Sequence, residues 1–274
     1  MRTLRLCLLF LVGLGASESL RAEGQFRVGC ATAEITPPVG WRRAGGFSEV
    51  VSTGIHDPLY AKALVLSQEG ITFALVGNDL CSVPRELTDA ARRQASQKTG
   101  IPVANIIIAA THTHGGPEYY GPLRDALHAR AMRENNRRDP HEPIDYQALL
   151  VKRWVDLIVR AYSTRRTASL SIVVPQQRGV AFNRRFLMKD GSIGWNPGKL
   201  NPNIFRPAGP TDPDLPLILA KDAQSGKPFV SLTVFAMHTA MPKEATRIRN
   251  ESARSWPRRS RRRCPCRARS PAGS

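Results

Sequence analysis

The 274-residue chain is short of three things. Cysteine is the first: Cys7 falls in the N-terminal leader and Cys264 and Cys266 in the C-terminal tail, so only Cys30 and Cys81 remain in the body. Two cysteines do not staple a fold; they either pair in an oxidising compartment or sit as small apolar core residues, and a disulfide-dependent scaffold is excluded. The second is any apolar run, beyond the leader, approaching the roughly 20 residues that span a bilayer, which excludes a helical membrane-spanning body. The third is acid, with 22 Asp/Glu against 40 Lys/Arg and a formal net charge of +18. Such an excess ordinarily points to an anionic partner. Its location argues otherwise: from Lys243 onward eleven Lys/Arg face only Glu244 and Glu251, so half of the excess lies in the last 32 residues and the body is mildly basic.

Both ends read as something other than folded domain. Residues 1–22 carry Arg2 and Arg5, an apolar run from Leu6 to Leu14, and small residues from about Ala16 to Ala22, the order of a signal peptide for a secreted or periplasmic protein. Residues 242–274 are rich in Arg, Pro and Ser, without hydrophobic period or helix caps, and read as disordered or as GC-rich coding sequence out of frame. The alternative is a basic arm for nucleic acid or acidic membrane. Base stacking would need interleaved aromatics, and Trp256 stands alone there, so no nucleic-acid partner is expected.

Between these ends, residues 23–241 alternate strand-like and helix-like segments, the pattern of an α/β domain with a mixed sheet flanked by helices. The runs 60–67 and 71–80 form a hairpin about Gln68, Glu69 and Gly70. Residues 84–98 read as a helix capped by Ser82 and stopped by Gly100, and 145–163 as a second, with Leu149, Val155, Ile158 and Val159 on its apolar face. The stretch 168–185 reads as a strand ending on Asn183 and Arg184, the passage from Trp195 to Pro216 as loop, and "PFVSLTVFAMH" as a last buried strand. No internal repeat is present.

Chemistry gathers where strands end. "ITFALVGND" finishes on Asp79, "NIIIAATHTH" on His112 and His114, and "PFVSLTVFAMH" on His238. Ligand sites of open α/β sheets lie beyond the carboxyl ends of strands, which puts a metal site at that edge. Side chains alternate along a strand, so His112 and His114 are expected on one face. Both imidazoles then reach one metal, or one binds metal while the other donates to substrate. Zinc is the first choice for imidazole with carboxylate, and a catalytic zinc takes about three protein ligands and an open position. His56, beside Asp57 and Pro58, either lines the same cleft or is a turn residue, and His128 and His141, among charged residues, are expected at the solvent surface.

The elements "VGCATAEITPPVG", "GIHDPLYAKALVL", "GNDL", "ATHTHGGP", "GVAFNRR" and "FAMHTA" occur here in an order that resembles the neutral/alkaline, non-lysosomal ceramidase family, over residues 26 to about 240. The resemblance implies the N-terminal part of a zinc amidohydrolase that cleaves the N-acyl bond of ceramide into sphingoid base and fatty acid, with a lipid substrate and peripheral membrane contact. It further implies that His112 and His238 are zinc ligands, that His114 orients the oxyanion or shuttles a proton, and that Arg184 holds substrate or developing charge. Two departures stand out. Gly115-Gly116-Pro117 replaces the family's Ser-Gly-Pro, and the family's remaining zinc ligands, a Glu and a Tyr, and its serine-containing element fall downstream, where this chain has only its Arg/Pro tail. The expected catalytic domain is therefore incomplete and the chain inactive as written. Its alternatives are a metal-dependent hydrolase of another amide or ester, and a binding protein that works through its basic tail.

Overall fold

The structure, a computed structural model, describes residues 25–238 and 247–248. The leader and all of the tail but those two residues lie outside the described residues. The elements are, in chain order, β1 (Arg27–Glu34), β2 (Gly54–Ile55), β3 (Tyr60–Gln68), β4 (Ile71–Asn78), α1 (Arg85–Thr99), β5 (Ile106–Ala110), α2 (Pro122–Glu134), α3 (Tyr146–Ser163), β6 (Arg166–Val173), β7 (Arg185–Met188), β8 (Ile193–Trp195), β9 (Ile204–Pro207), β10 (Leu217–Asp222), β11 (Pro228–Thr233) and β12 (Arg247–Ile248).

Seven strands form one sheet in the order β11-β10-β6-β1-β3-β4-β5. Every pairing in it is antiparallel except β4 with β5, which run parallel because α1 crosses between them. This is the expected α/β architecture with a mixed sheet. The β3–β4 hairpin is one residue tighter than the sequence suggested. Gln68 pairs with Ile71, leaving Glu69 (φ 49°) and Gly70 (φ 78°) as a two-residue turn whose two positive φ angles match the twist of the strands.

Helix α1 ends as expected on left-handed Gly100, whose N–H donates to the Ser96 carbonyl. Its start differs. Pro84 holds the cap position without a side-chain bond, and Ser82 instead accepts from two tyrosines, its carbonyl from Tyr119 and its hydroxyl from Tyr120. In α3, Asp145 caps by accepting from the Ala148 N–H at 2.9 Å. Val155 and Ile158 of the expected apolar face are buried and Leu149 and Val159 half-buried, joined by buried Leu150, Trp154, Leu157 and Ala161. This helix lies so close to β1 that a Cβ on Gly29 would stand 1.9 Å from the Ala161 carbonyl oxygen, so no larger residue fits there. At the far end of β4, buried Asn78 ties three elements. Its Oδ1 accepts from the Trp154 indole of α3, and its Nδ2 donates to the Ala109 carbonyl of β5 at 3.0 Å.

Several strand boundaries need correction. β6 stops at Val173, just before Pro175, whose missing N–H cannot extend a ladder, so Asn183 and Arg184 sit in the connection that enters β7. The passage expected as loop after Trp195 contributes β9, and β8-β7-β9 make a separate three-stranded sheet. β11 ends at Thr233 on the edge of the large sheet with only Phe229 buried, because an edge strand has a neighbour on one side alone. β12 pairs in parallel with β2, and its Ile248 is fully buried in the main core. Cys81 retains its thiol, so it does not pair with Cys30.

Candidate metal centre

β5 ends at Ala110, before the histidines. The chain nevertheless keeps bonding to the end of β4, with the Thr111 N–H donating to the Asn78 carbonyl at 2.9 Å and the Thr113 N–H to the Leu80 carbonyl at 3.0 Å. Between those two bonds His112 takes φ 61°, a left-handed conformation that costs a non-glycine residue roughly 1–3 kcal/mol and persists only where its surroundings dictate it. Strand alternation therefore does not operate through His112, and the expectation built on it is corrected. A turned backbone, with His112 exposed and Thr113 fully buried, brings the two imidazoles together.

His112 Nδ1 donates to the Cys81 carbonyl oxygen at 2.8 Å, with Cys81 Sγ 3.7 Å away, and its Nε2 lies 3.1 Å from Nε2 of His114. His114 hydrogen-bonds the backbone of Gly45, which lies against the Nδ1 side of the ring. The bond from Nδ1 to the Cys81 carbonyl turns the Nε2 edge of His112 toward His114. His238, five residues past β11, completes the group. Its ring centroid stands 5.1 Å from that of His112 and 4.7 Å from that of His114, against 4.7 Å between those two, all edge to face. Burial, then the neighbouring His112, His238 and Arg184 charges, outweigh the Gly45 bond and push the His114 imidazolium down to about 4, which keeps that ring neutral at pH 7. Arg184, in the β6–β7 connection, is close enough for its charge to act on His114, and its guanidinium lies 5.7 Å from the Trp195 ring centroid.

The structure thus brings His112, His114 and His238 together from two separate segments, with the Arg184 charge acting on them from a third. Other candidates go elsewhere. His56 pairs with Asp57 at 2.9 Å in a surface turn. Asp79 is buried, with Oδ2 accepting from the Tyr60 N–H at 2.8 Å, and supports the β3–β4 pairing. His128 and His141, expected in solvent, are partly exposed but both engaged; His128 Nδ1 donates to Asp139 and His141 Nδ1 to the Gly40 carbonyl, each at 2.8 Å. His128, Asp139 and Glu142 have the spacing of metal ligands. Their charge is already met. Arg42 grips Asp139 with two bonds of 2.7 and 3.1 Å and also reaches Glu142, which Arg124 holds as well. That group is an ion-pair network that fastens the 40–51 loop to α2 and the segment after it.

The sequence reading passed over Gly45 and Cys81. The glycine doublet in "RRAGGFSE" is the signal for the first, since a Cβ on Gly45 would lie 2.4 Å from His114 Cβ. The loop is held in place by backbone bonds, the Ala44 N–H to the Gly116 carbonyl and the Glu118 N–H to the Arg42 carbonyl.

Against solved structures, the neutral ceramidase of Pseudomonas aeruginosa superposes with a TM-score of 0.60 at 21% identity, over 83% of this chain and 34% of that one. The fold is neutral ceramidase-like. A ceramidase complexed with C2 also matches, with TM-score 0.53 and 19% identity over 79% of this chain and 32% of that one. The chain spans about a third of the length of each. No family model and no curated protein matches it. Within the neutral ceramidase-like fold the histidine cluster joins the segments that follow β5 and β11, the two outermost strands of the large sheet.

Proposed function

We propose that this chain is the metal-holding part of a zinc-dependent amidohydrolase that cleaves the N-acyl bond of ceramide, exported by its leader. The observation that carries the reading is the meeting of three imidazoles, one of them under the charge of Arg184, in a neutral ceramidase-like fold. The donor set fits zinc: three imidazoles stand together, and His112, with Nδ1 anchored on the Cys81 carbonyl, turns Nε2 into the cluster, the usual way a protein orients histidine toward a metal. His112 and His238 are the ligands in this reading. Bound there, zinc would acidify a water and polarise the amide carbonyl.

The chain's own residues then divide the work. The Cys81 carbonyl fixes the tautomer and direction of His112. His114, neutral and held by Gly45, accepts a proton at Nε2 and returns it to the departing amine, which could not leave as an anion. Arg184 carries a permanent positive charge toward the developing oxyanion.

Zinc content after dialysis separates these roles. His112→Ala should lower zinc affinity at least ~100-fold, because a lost ligand costs more than a lost supporting bond. Arg184→Ala should leave zinc in place while hydrolysis of an N-acyl sphingoid base, measured in a chain that carries the rest of the domain, falls by about two orders of magnitude or more. Unchanged zinc content in the His112 variant would overturn the ligand assignment.

A further inference from the structure

Cys81 keeps its thiol, and the proposed reaction uses only its carbonyl. Its place follows from the sheet. β4 and β5 are parallel neighbours, so their chains leave the sheet side by side. The bonds from Thr111 to Asn78 and from Thr113 to Leu80 continue that pairing and set Cys81 against His112, 31 residues later. Sγ lies 3.7 Å from His112 Nδ1, the nitrogen whose proton the Cys81 carbonyl already takes. The donor atoms of Cys81, His112 and His114 all lie within 4.8 Å of one another. A tetrahedral cation with bonds of about 2.0 Å to nitrogen and about 2.3 Å to sulfur holds two nitrogens about 3.3 Å apart, and nitrogen and sulfur about 3.5 Å apart. Nε2 of His112 and Nε2 of His114, 3.1 Å apart, already stand near that spacing. The sulfur stands further off and would approach by turning about its single side-chain torsion.

We infer that Cys81, His112 and His114 form a binding site for a soft d10 cation such as Cd2+ or Cu+, a ligand set that shares only His112 with the zinc of the proposed function. A thiolate beside imidazoles selects such cations, whereas hard ions that seek oxygen gain nothing from sulfur. Binding breaks the S–H bond: the electron pair stays on sulfur and joins the metal, and the proton passes to solvent. Both rings are held in advance, His112 on the Cys81 carbonyl and His114 on the Gly45 backbone. His112 is exposed and the other two are half-buried, so an ion can enter from solvent. The second group with metal-ligand spacing, His128, Asp139 and Glu142, offers no sulfur and has Arg42 and Arg124 in place. A cation on all three donors of the first group occupies His114 Nε2, the atom that moves the proton in the proposed hydrolysis. Soft metal therefore blocks that reaction instead of supporting it. This consequence rests on the proposed hydrolysis; the binding does not.

The test titrates Cd2+ into the full 274-residue chain and follows the ultraviolet charge-transfer absorption of cadmium thiolate. Cys264 and Cys266 contribute alike to parent and variants, so the difference between them is the reading. Cys81→Ser should remove one thiolate's share of the absorption and lower Cd2+ affinity at this site at least ~100-fold, with circular dichroism unchanged. An unchanged titration in Cys81→Ser would overturn the inference. His114→Ala should weaken the same binding at least ~10-fold, and His128→Gln should leave it alone; the opposite pattern would reassign the cation to the ion-pair network. Long-range proton–nitrogen NMR spectra of the parent should show Nε2 of both His112 and His114 moved by Cd2+, and a His114 ring that stays in place would refute its part in the site. The zinc assignment fails separately. Zinc content should fall in His238→Ala and hold in Cys81→Ser, whereas Cd2+ binding should hold in His238→Ala and fall in Cys81→Ser. Zinc retained in His238→Ala, with Cd2+ lost in Cys81→Ser, would sink the zinc ligands and leave this site standing.

Discussion

Replacing Gly45 with alanine adds one methyl group at the tightest point around the histidine cluster. The new Cβ would lie 2.4 Å from His114 Cβ, 2.5 Å from Cγ and 2.7 Å from Nδ1. Carbon contacts ordinarily settle at about 3.5–4.0 Å, so either the imidazole or the loop must retreat by about 1 Å. The ring has little freedom to do so, with Nε2 set against His112 at 3.1 Å. The loop is bound to Gly116 and, through Arg42, to Glu118. Relieving such an overlap costs roughly 1–3 kcal/mol, and holding alanine at φ +98° adds roughly 1–3 kcal/mol more. A total centred on about 4 kcal/mol corresponds to a fall in Tm of about 8–16 °C for a domain of this size. Long-range proton–nitrogen NMR spectra should show the His114 ring nitrogens moved and those of His128, tied to Asp139, unmoved. Gly46→Ala is the control, since its Cβ would meet nothing closer than 3.8 Å and should change stability by less than about 0.5 kcal/mol. If Gly45→Ala melts within about 2 °C of the parent and leaves the His114 resonances in place, the packing of this loop on the cluster is wrong.

Two further predictions concern the network behind that loop. Arg42 has a 2% exposed side chain that meets Glu49, Asp139 and Glu142, so Arg42→Met should cost about 3–5 kcal/mol in urea unfolding, and Asp139→Asn added to it should restore part of the loss. Equal midpoints for Arg42→Met and the parent would show that the network contributes nothing. The same residues set an acid limb. Burial alone would raise the Asp139 carboxyl, but the bonds from Arg42, the His141 amide and His128 outweigh it and leave the group below its usual range; Arg42 does the same to Glu49, against a smaller effect of burial. Because the unfolded chain binds more protons there, stability rises with pH: the contribution is full above the ordinary carboxylate range, near pH 4, and is lost as pH falls through the lower folded values. Half-buried Glu118, raised by burial, works with the opposite sign and is common to both proteins. Arg42→Met should therefore have a shallower acid limb than the parent between pH 5 and about pH 2, and parallel Tm curves would refute the assignment.

Local period and turn chemistry made much of the sheet legible from sequence. The apolar runs ending at Asn78 and Ala110, the Glu69-Gly70 turn, Gly100 after α1 and the apolar face of α3 were all readable, because each depends on residues within a few positions of one another. That His112, His114 and His238 lie just past strands was legible as well, although β5 and β11 stand at opposite ends of the sheet and run in opposite directions, so their ends share no common edge. What sequence periodicity could not reach was how they meet. Alternation predicted one face of a strand, whereas His112 leaves the strand at φ 61° and its ring is aimed by the carbonyl of Cys81, 31 residues earlier. Strands as short as β7, β8 and β9 carry too few residues to show a period, so β9 was hidden in apparent loop and β7 and β8 gave no strand signal. His128, expected in solvent, became part of an ion-pair network because Arg42 approaches from 97 residues away to neutralise Asp139. Neighbours in the chain decide whether a segment is helix, strand or turn. Whether a charged or strained side chain can be kept inside depends on the partners that close around it, and those come together only when distant parts of the chain pack.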